Sequence, residues 1–228
     1  MPSSEFAEIR ACVFDAYGTL FDVHSAVTRQ RARLGDCAEA VSSLWRRKQL
    51  EYSWLRSLMG LHADFWQVTG EALDFALTSH GVDGQELRQD LMSAYLSLAP
   101  YPEVRRTLQV LRSRGLPLAI LSNGSPAMLQ AAVTAADFAD LELRCYSVEE
   151  IGVYKPDPRV YRLACEHLGL RPEQISFQSA NGWDAAGAAA FGMKVAWINR
   201  SGQCREQLPY GPIVELRALD QLPALLPG

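Results

Sequence analysis

Apolar positions run along this chain in two distinct patterns. Short unbroken runs, Ala11-Cys12-Val13-Phe14, Leu118-Ala119-Ile120-Leu121, Ile175-Ser176-Phe177 and Val195-Ala196-Trp197-Ile198, have the length and continuity of strands buried on both faces. A fifth strand is predicted around residues 144–148. Between these runs, apolar residues recur at spacings of three and four, which predicts helices near 103–114, between the second run and residue 144, over 158–168, and in an Ala-rich stretch ending at Phe191. Strands alternating with helices predict an α/β fold, a doubly wound and mainly parallel sheet with helices on both faces.

The alternation is interrupted once. After Leu20 the strand pattern stops, and from about His24 to Leu98 the chain reads as helices, with clear periodicity over 44–59, 63–75 and 86–98. Ala99-Pro100-Tyr101-Pro102 punctuates the end of this block, its prolines favouring an extended entry and a helix start near Pro102. The expected organisation is an α/β core from residues 1–20 and 99–228 with a helical insertion over 21–98. No internal repeat or low-complexity segment is visible.

Composition narrows the partners. With 228 residues, 48% hydrophobic and 21% charged, the chain can bury a substantial globular core. A net charge of -4 with no Lys/Arg tract argues against nucleic acid. Neither a signal-like amino terminus nor an apolar stretch of about 20 residues is present, so a cytoplasmic protein without a membrane partner is expected. The 5 cysteines are scattered and lack a Cys-x-x-Cys pair, which suggests neither a disulfide framework nor a zinc site. The histidines, His24, His62, His80 and His167, show no ligand spacing.

Three apolar runs end in polar residues, and this recurrence carries the chemistry. Asp15 and Thr19 follow the first, Ser122-Asn123-Gly124 the second, and Ser179-Ala180-Asn181-Gly182-Trp183-Asp184 the third. Parallel strands bring such ends to one sheet edge, where open α/β sheets bind ligands. A carboxylate delivered there by a buried strand is costly unless compensated, which marks Asp15 as the candidate nucleophile. Lys155, in Val153-Tyr154-Lys155-Pro156-Asp157-Pro158, lies in a loop from which a cation can reach the same edge, while Asp157 can cap the helix opened by Pro158. Taken singly, each motif is an ordinary turn or cap. Arg46 and Arg47 taken alone would be a solvated helix face.

On these residues the sequence resembles the haloacid dehalogenase superfamily. With the stretch Leu44-Trp45-Arg46 through Glu51-Tyr52-Ser53-Trp54, it resembles within it the L-2-haloacid dehalogenases of type II. The resemblance spans nearly the whole chain and implies a Rossmann-like core with the helical block as its cap. It implies that Asp15 attacks the halogen-bearing carbon to form an ester with inversion, and that water then cleaves the ester. The implied catalytic set is Asp15, Thr19, Arg46, Lys155, Ser179, Asn181 and Asp184. In it Lys155 holds Asp15 as an aimed carboxylate, Thr19 and Asn181 orient polar groups around it, and Asp184 fixes Lys155 or helps activate water.

By the same resemblance Ser122 and nearby backbone N–H groups receive the substrate carboxylate, and Arg46, with Asn123, takes the departing halide. Tyr17, Leu50, Phe65 and Trp183 match an apolar wall around the C2 substituent, and Tyr161 matches a supporting hydroxyl. No cofactor and no metal are implied. The partners are a small 2-haloacid and a halide ion, with a homodimer as the expected assembly. Arg47, Ala180 and Gly182 depart from the pattern, standing where a neutral amide, Ser and Ala are more common.

Tyr17 separates this reading from its nearest alternative. Phosphoester-cleaving relatives place a second Asp two positions after the nucleophile to protonate an alkoxide, whereas a halide leaves as a stable anion. A magnesium-dependent phosphatase would also want more oxygen ligands than the lone Asp184 after Ser179, Ala180, Asn181 and Gly182 supplies. A catalytically silent anion-binding relative would be expected to have lost a reactive group, yet Asp15, Arg46, Lys155 and Asp184 are all present.

Overall fold

The computed structural model describes residues 4–227. In chain order its regular elements are β1 (Ala11–Phe14), α1 (Ser25–Arg29), α2 (Arg31–Leu34), α3 (Ala38–Met59), α4 (Phe65–Ser79), α5 (Gln85–Tyr95), α6 (Val104–Ser113), β2 (Leu118–Ser122), α7 (Pro126–Ala135), β3 (Arg144–Ser147), α8 (Pro158–Leu168), β4 (Ile175–Ser179), α9 (Gly182–Phe191), β5 (Lys194–Ile198) and β6 (Val214–Leu216). Short 3-10 turns connect several of them.

The strands form one 6-stranded sheet in the order β3-β2-β1-β4-β5-β6, parallel throughout. Every residue of β1, β2 and β4 is buried, as strands covered on both faces must be. The chain winds outward from β1 to β2 and β3, then returns to place β4 on the other side of β1. β1 therefore stands at the topological switch, and the crevice at its carboxyl end is the natural ligand position. Phe14 pairs with Ile120 and Gln178, and the Asp15 N–H carries the ladder one step further by donating to the Gln178 carbonyl at 2.9 Å.

The five helices α1 to α5 intervene between β1 and β2. α3 and α4 pack closely on one another, and their buried side chains, including Val41, Trp45, Phe65, Val68 and Leu73, are continuous with the core beneath the sheet. Asp64 caps α4 by accepting from the Gln67 N–H at 2.9 Å, and Asp157 caps α8 through Arg159 N–H at 2.9 Å with Pro158 next in the chain. β4 runs two residues past the run Ile175-Ser176-Phe177, because Gln178 and Ser179 are polar yet buried in the sheet. β6 escapes the sequence pattern altogether. It is 3 residues long and pairs only at the sheet edge, too short for alternation to register.

Candidate active site

The turn after β1 is built to present Asp15. Gly18 sits at φ 95°, a left-handed conformation that a side chain would strain, and this lets the chain reverse within Tyr17-Gly18-Thr19. Its N–H donates to the Phe21 carbonyl at 2.7 Å, closing the turn. Thr19, fully buried, returns its hydroxyl to Asp15 Oδ2 at 2.9 Å and accepts from the Ala180 N–H at 2.8 Å, so the ends of β1 and β4 are tied through one side chain.

Asp15 is held from three directions. Lys155 Nζ donates to Oδ1 at 3.0 Å, while Thr19 Oγ1 and Asn181 Nδ2 donate to Oδ2 at 2.9 Å and 2.8 Å. Lys155 is 1% exposed and also donates to Asp184 Oδ2 at 2.9 Å, with the Phe177 ring 5.0 Å below the ammonium. Burial by itself would lower the Lys155 pKa, but the carboxylates of Asp15 and Asp184 outweigh it and hold the ammonium above the ordinary lysine value. Two carboxylates share this one ammonium. Burial, then the charge of Asp15, pushes the Asp184 carboxyl above the ordinary aspartate value, against the opposing pull of Lys155 and Tyr161. Tyr161 donates to Asp184 Oδ1 at 2.8 Å, and burial followed by that carboxylate keeps its hydroxyl protonated well above the usual tyrosine range.

The remaining strand ends complete the edge. Ser122 accepts from the Gly124 N–H at 3.0 Å, and Asn123 accepts from the Lys155 N–H at 3.1 Å, fixing the loop that carries the lysine. Ser179 accepts from the Asn181 N–H at 3.1 Å and so sets the start of α9, acting through Asn181 without lining the cavity itself. Gly124 is required for a different reason: a Cβ there would lie 2.7 Å from the Tyr17 ring, so only glycine lets Tyr17 cover the site. At Gly182 the side chain of Glu206 occupies the space a Cβ would need, with Cγ 2.8 Å from that position, so the glycine is filled from outside and the start of α9 is covered.

The helical block supplies the other wall. Arg46 of α3 reaches down to the Tyr17 carbonyl at 3.0 Å and to Asn181 Oδ1 at 3.4 Å. Together Asp15, Tyr17, Arg46, Leu50, Phe65, Ser122, Asn123, Asn181 and Trp183 enclose a cavity of about 10 Å3, on the order of a single water. Arg47 is exposed and has no polar partner among the described residues. Of the other site residues marked from the sequence, Thr19 and Lys155 bond Asp15 and Ser179 bonds Asn181, while Asp184 stands behind Lys155 and Tyr161 behind Asp184.

Sequence reasoning missed the group that holds Arg46. Gln49, 1% exposed, accepts from Arg46 Nη1 at 2.8 Å and donates to Thr69 Oγ1 at 2.7 Å. The Tyr95 hydroxyl donates to Gln49 Oε1 at 3.1 Å, and the Tyr95 ring stacks on Tyr17 at 5.5 Å. The available signal was a polar residue three positions after Arg46 on the same helix face. Lys155 stands between the carboxylates of Asp15 and Asp184.

Known proteins share this architecture. The family model for haloacid dehalogenase-like hydrolases matches residues 9–192. The chain is 50% identical over 219 residues to (S)-2-haloacid dehalogenase 1 of Pseudomonas sp. (strain CBS-3), covering 96% of each. A crystal structure of a dehalogenase superposes with a TM-score of 0.94 at 48% identity over 96% of this chain and 97% of the other. The L-2-haloacid dehalogenase from Xanthobacter autotrophicus with chloropropionic acid covalently bound superposes with a TM-score of 0.88 at 39% identity, over 95% of this chain and 98% of that one.

Proposed function

From the premise that the chain belongs to the haloacid dehalogenase-like hydrolase family, with (S)-2-haloacid dehalogenases among its relatives, we propose that it hydrolyses short L-2-haloalkanoic acids to D-2-hydroxy acids through an ester on Asp15, without a metal. The observation that carries this reading is a carboxylate held by Lys155, Thr19 and Asn181 and faced across a small cavity by Arg46. The arginine opposite Asp15 gives the departing halide a positively charged destination, and the residue two places after the nucleophile is a tyrosine that sits in the apolar wall. The covalent complex of the Xanthobacter enzyme supports an ester as the intermediate.

In the first step an Asp15 oxygen displaces the halide from C2, with Ser122 and the backbone N–H groups beside it receiving the substrate carboxylate, and Arg46 with Asn123 receiving the halide. Leu50, Phe65, Tyr17 and Trp183 surround the C2 substituent. In the second step water attacks the ester carbonyl as Asp184, steered by Lys155 and Tyr161, draws off a proton. The bond from the Asp15 acyl carbon to the C2 oxygen then breaks, Asp184 returns the proton to that oxygen, and the hydroxy acid leaves while Asp15 gives its remaining proton to solvent and is restored as a carboxylate. The site is close to filled at about 10 Å3, so substrate enters when the wall carried by α3 and α4 lifts. That assigns the role of a cap to residues 21–98 over a core of 1–20 and 99–228. A cytoplasmic homodimer with no cofactor belongs to the same reading.

The deciding experiment is halide release from L- and D-2-chloropropionate in excess EDTA, with chiral analysis of the lactate formed. The expected result is release from the L isomer only, D-lactate as product, and no loss on chelation. L- or racemic lactate refutes single inversion at Asp15. Inactivation by EDTA that magnesium reverses, with phosphate-ester hydrolysis, replaces the reading by a phosphatase.

Two further outcomes follow from the site. Arg46→Ala lowers kcat/KM by about 10²-fold or more, the scale of a lost charge stabiliser, whereas Arg47→Ala stays near wild type; equal modest losses return Arg46 to a packing role. Tyr161→Phe removes a hydrogen bond that pulls the Asp184 pKa down. Asp184 accepts a proton only when ionised, so activity falls as pH drops through its pKa. The acid limb of the kcat profile therefore moves to higher pH in the variant. An unmoved limb excludes Asp184 as the group titrating there.

A further inference from the structure

Arg200 follows β5 and plays no part in the chemistry above, yet its side chain meets the nucleophile turn and the chain's return from the helical block together. Its Nη2 donates to the Thr19 carbonyl at 3.0 Å and its Nη1 to the Gly18 carbonyl at 3.4 Å. Among the described residues no backbone N–H outside helices and strands reaches either carbonyl. The same Nη2 donates to Glu103 Oε1 at 2.6 Å, Nε donates to that oxygen at 3.2 Å, and the guanidinium lies 3.8 Å from the centre of the Tyr101 ring. With side-chain exposures of 19% for Arg200 and 18% for Glu103, this pair is screened less than one on the open surface.

Two chain crossings meet at this point. Asp22 N–H donates to the Ala99 carbonyl at 2.8 Å and Tyr101 N–H to the Leu20 carbonyl at 3.0 Å, so the exit from the turn and the re-entry to the core are paired backbone to backbone. Arg200 bonds the turn on one side of that pairing and stacks on the re-entry on the other. Thr19 passes any displacement directly to the nucleophile, because its hydroxyl bonds Asp15 while its carbonyl is held by Arg200. Only a planar fork with several donors and a stacking face can make these contacts at once, which a lysine cannot.

We propose that Arg200 is a positioning residue for the attack of Asp15, its guanidinium bracing the Gly18-Thr19 carbonyls against Glu103 and Tyr101 so that the turn keeps its aim while the helical block moves. The proposal rests on the dehalogenase reading only for the step it affects; the brace itself is testable without substrate.

The test uses the full chain with Arg200→Ala and Arg200→Lys. Single-turnover rates of ester formation from L-2-chloropropionate are expected to fall on the order of 10²-fold in the alanine variant, the scale of a misplaced reacting group, with KM changed less than about threefold. Lysine is expected to restore little, and millimolar guanidinium ion to restore part of the rate of Arg200→Ala. Amide hydrogen exchange in the same variant should speed up in peptides spanning 18–22 and 99–101 and stay unchanged in β4. Unchanged exchange in those two segments, or a loss of protection spread evenly over the sheet with no guanidinium rescue, overturns the brace. If the wild type releases no halide but the two segments still loosen in Arg200→Ala, the brace stands and the dehalogenase reading is what fails.

Discussion

Asp15→Ala is expected to abolish halide release, by on the order of 10⁴-fold or more, because the step it removes is the bond-forming one. The protein should stay folded. Removing this carboxylate leaves Lys155 paired one to one with Asp184, 2.9 Å away, and relieves the like charge that raises Asp184. The wild type provides the sharper measurement. In heavy-oxygen water, with enzyme in excess over an L-2-haloacid, the label should enter the carboxylate of Asp15 on the first turnover. The first product should then carry mainly light oxygen, since its new hydroxyl oxygen came from the protein. Heavy oxygen in that first product with an unlabelled Asp15 would mean that water attacks C2 directly and that Asp15 acts only as a base.

Lys155→Met is expected to be the most destabilising single change at the site, costing about 3–5 kcal/mol, the range for removing one partner from a buried ion pair. Lys155 is 1% exposed and is the shared partner of Asp15 and Asp184, so its loss leaves two buried carboxylates without their cation. Denaturant unfolding should show a lower midpoint with little change in slope, and activity should vanish. The double variant Lys155→Met with Asp184→Asn should regain part of the lost stability, because one stranded charge is removed, and none of the activity. A single variant as stable as the wild type would mean that one of the carboxylates is neutral in the native protein, and the electrostatic account of the site would have to be rebuilt around it.

What the sequence makes legible follows the range of the forces involved. Apolar runs such as Ala11-Cys12-Val13-Phe14 and Leu118-Ala119-Ile120-Leu121 identify central strands because a strand buried on both faces is apolar along most of its length. The helices of the insertion are read from their periodicity, although α1 and α2, at 5 and 4 residues, are too short for it. Asp15, Ser122 and Asn181 stand out because each follows such a run, and the common direction of parallel strands places those ends together. Local chemistry likewise identifies Asp157-Pro158 as a helix start, since cap and first turn lie next to each other in the chain.

Tertiary structure alone decides the rest. That Lys155 bridges Asp15 and Asp184 depends on a loop after β3 folding over the ends of β1 and β4, a contact across 140 positions in one direction and 29 in the other. The hold of Gln49, Thr69 and Tyr95 on Arg46, and of Glu103 and Tyr101 on Arg200, joins residues with no common periodicity. The raised pKa of Asp184 likewise exists only once burial has removed water from its own carboxyl and the fold has brought Asp15 near it. Amphipathic pattern and turn chemistry act over a few residues, so the chain by itself determines its central strands, the longer inserted helices and the edge where the reactive groups gather. Desolvation and side-chain packing act between segments remote in sequence, so the charge state of Asp184 and the aim of Asp15, Lys155 and Arg46 are set only when the sheet and the helical block close on one another.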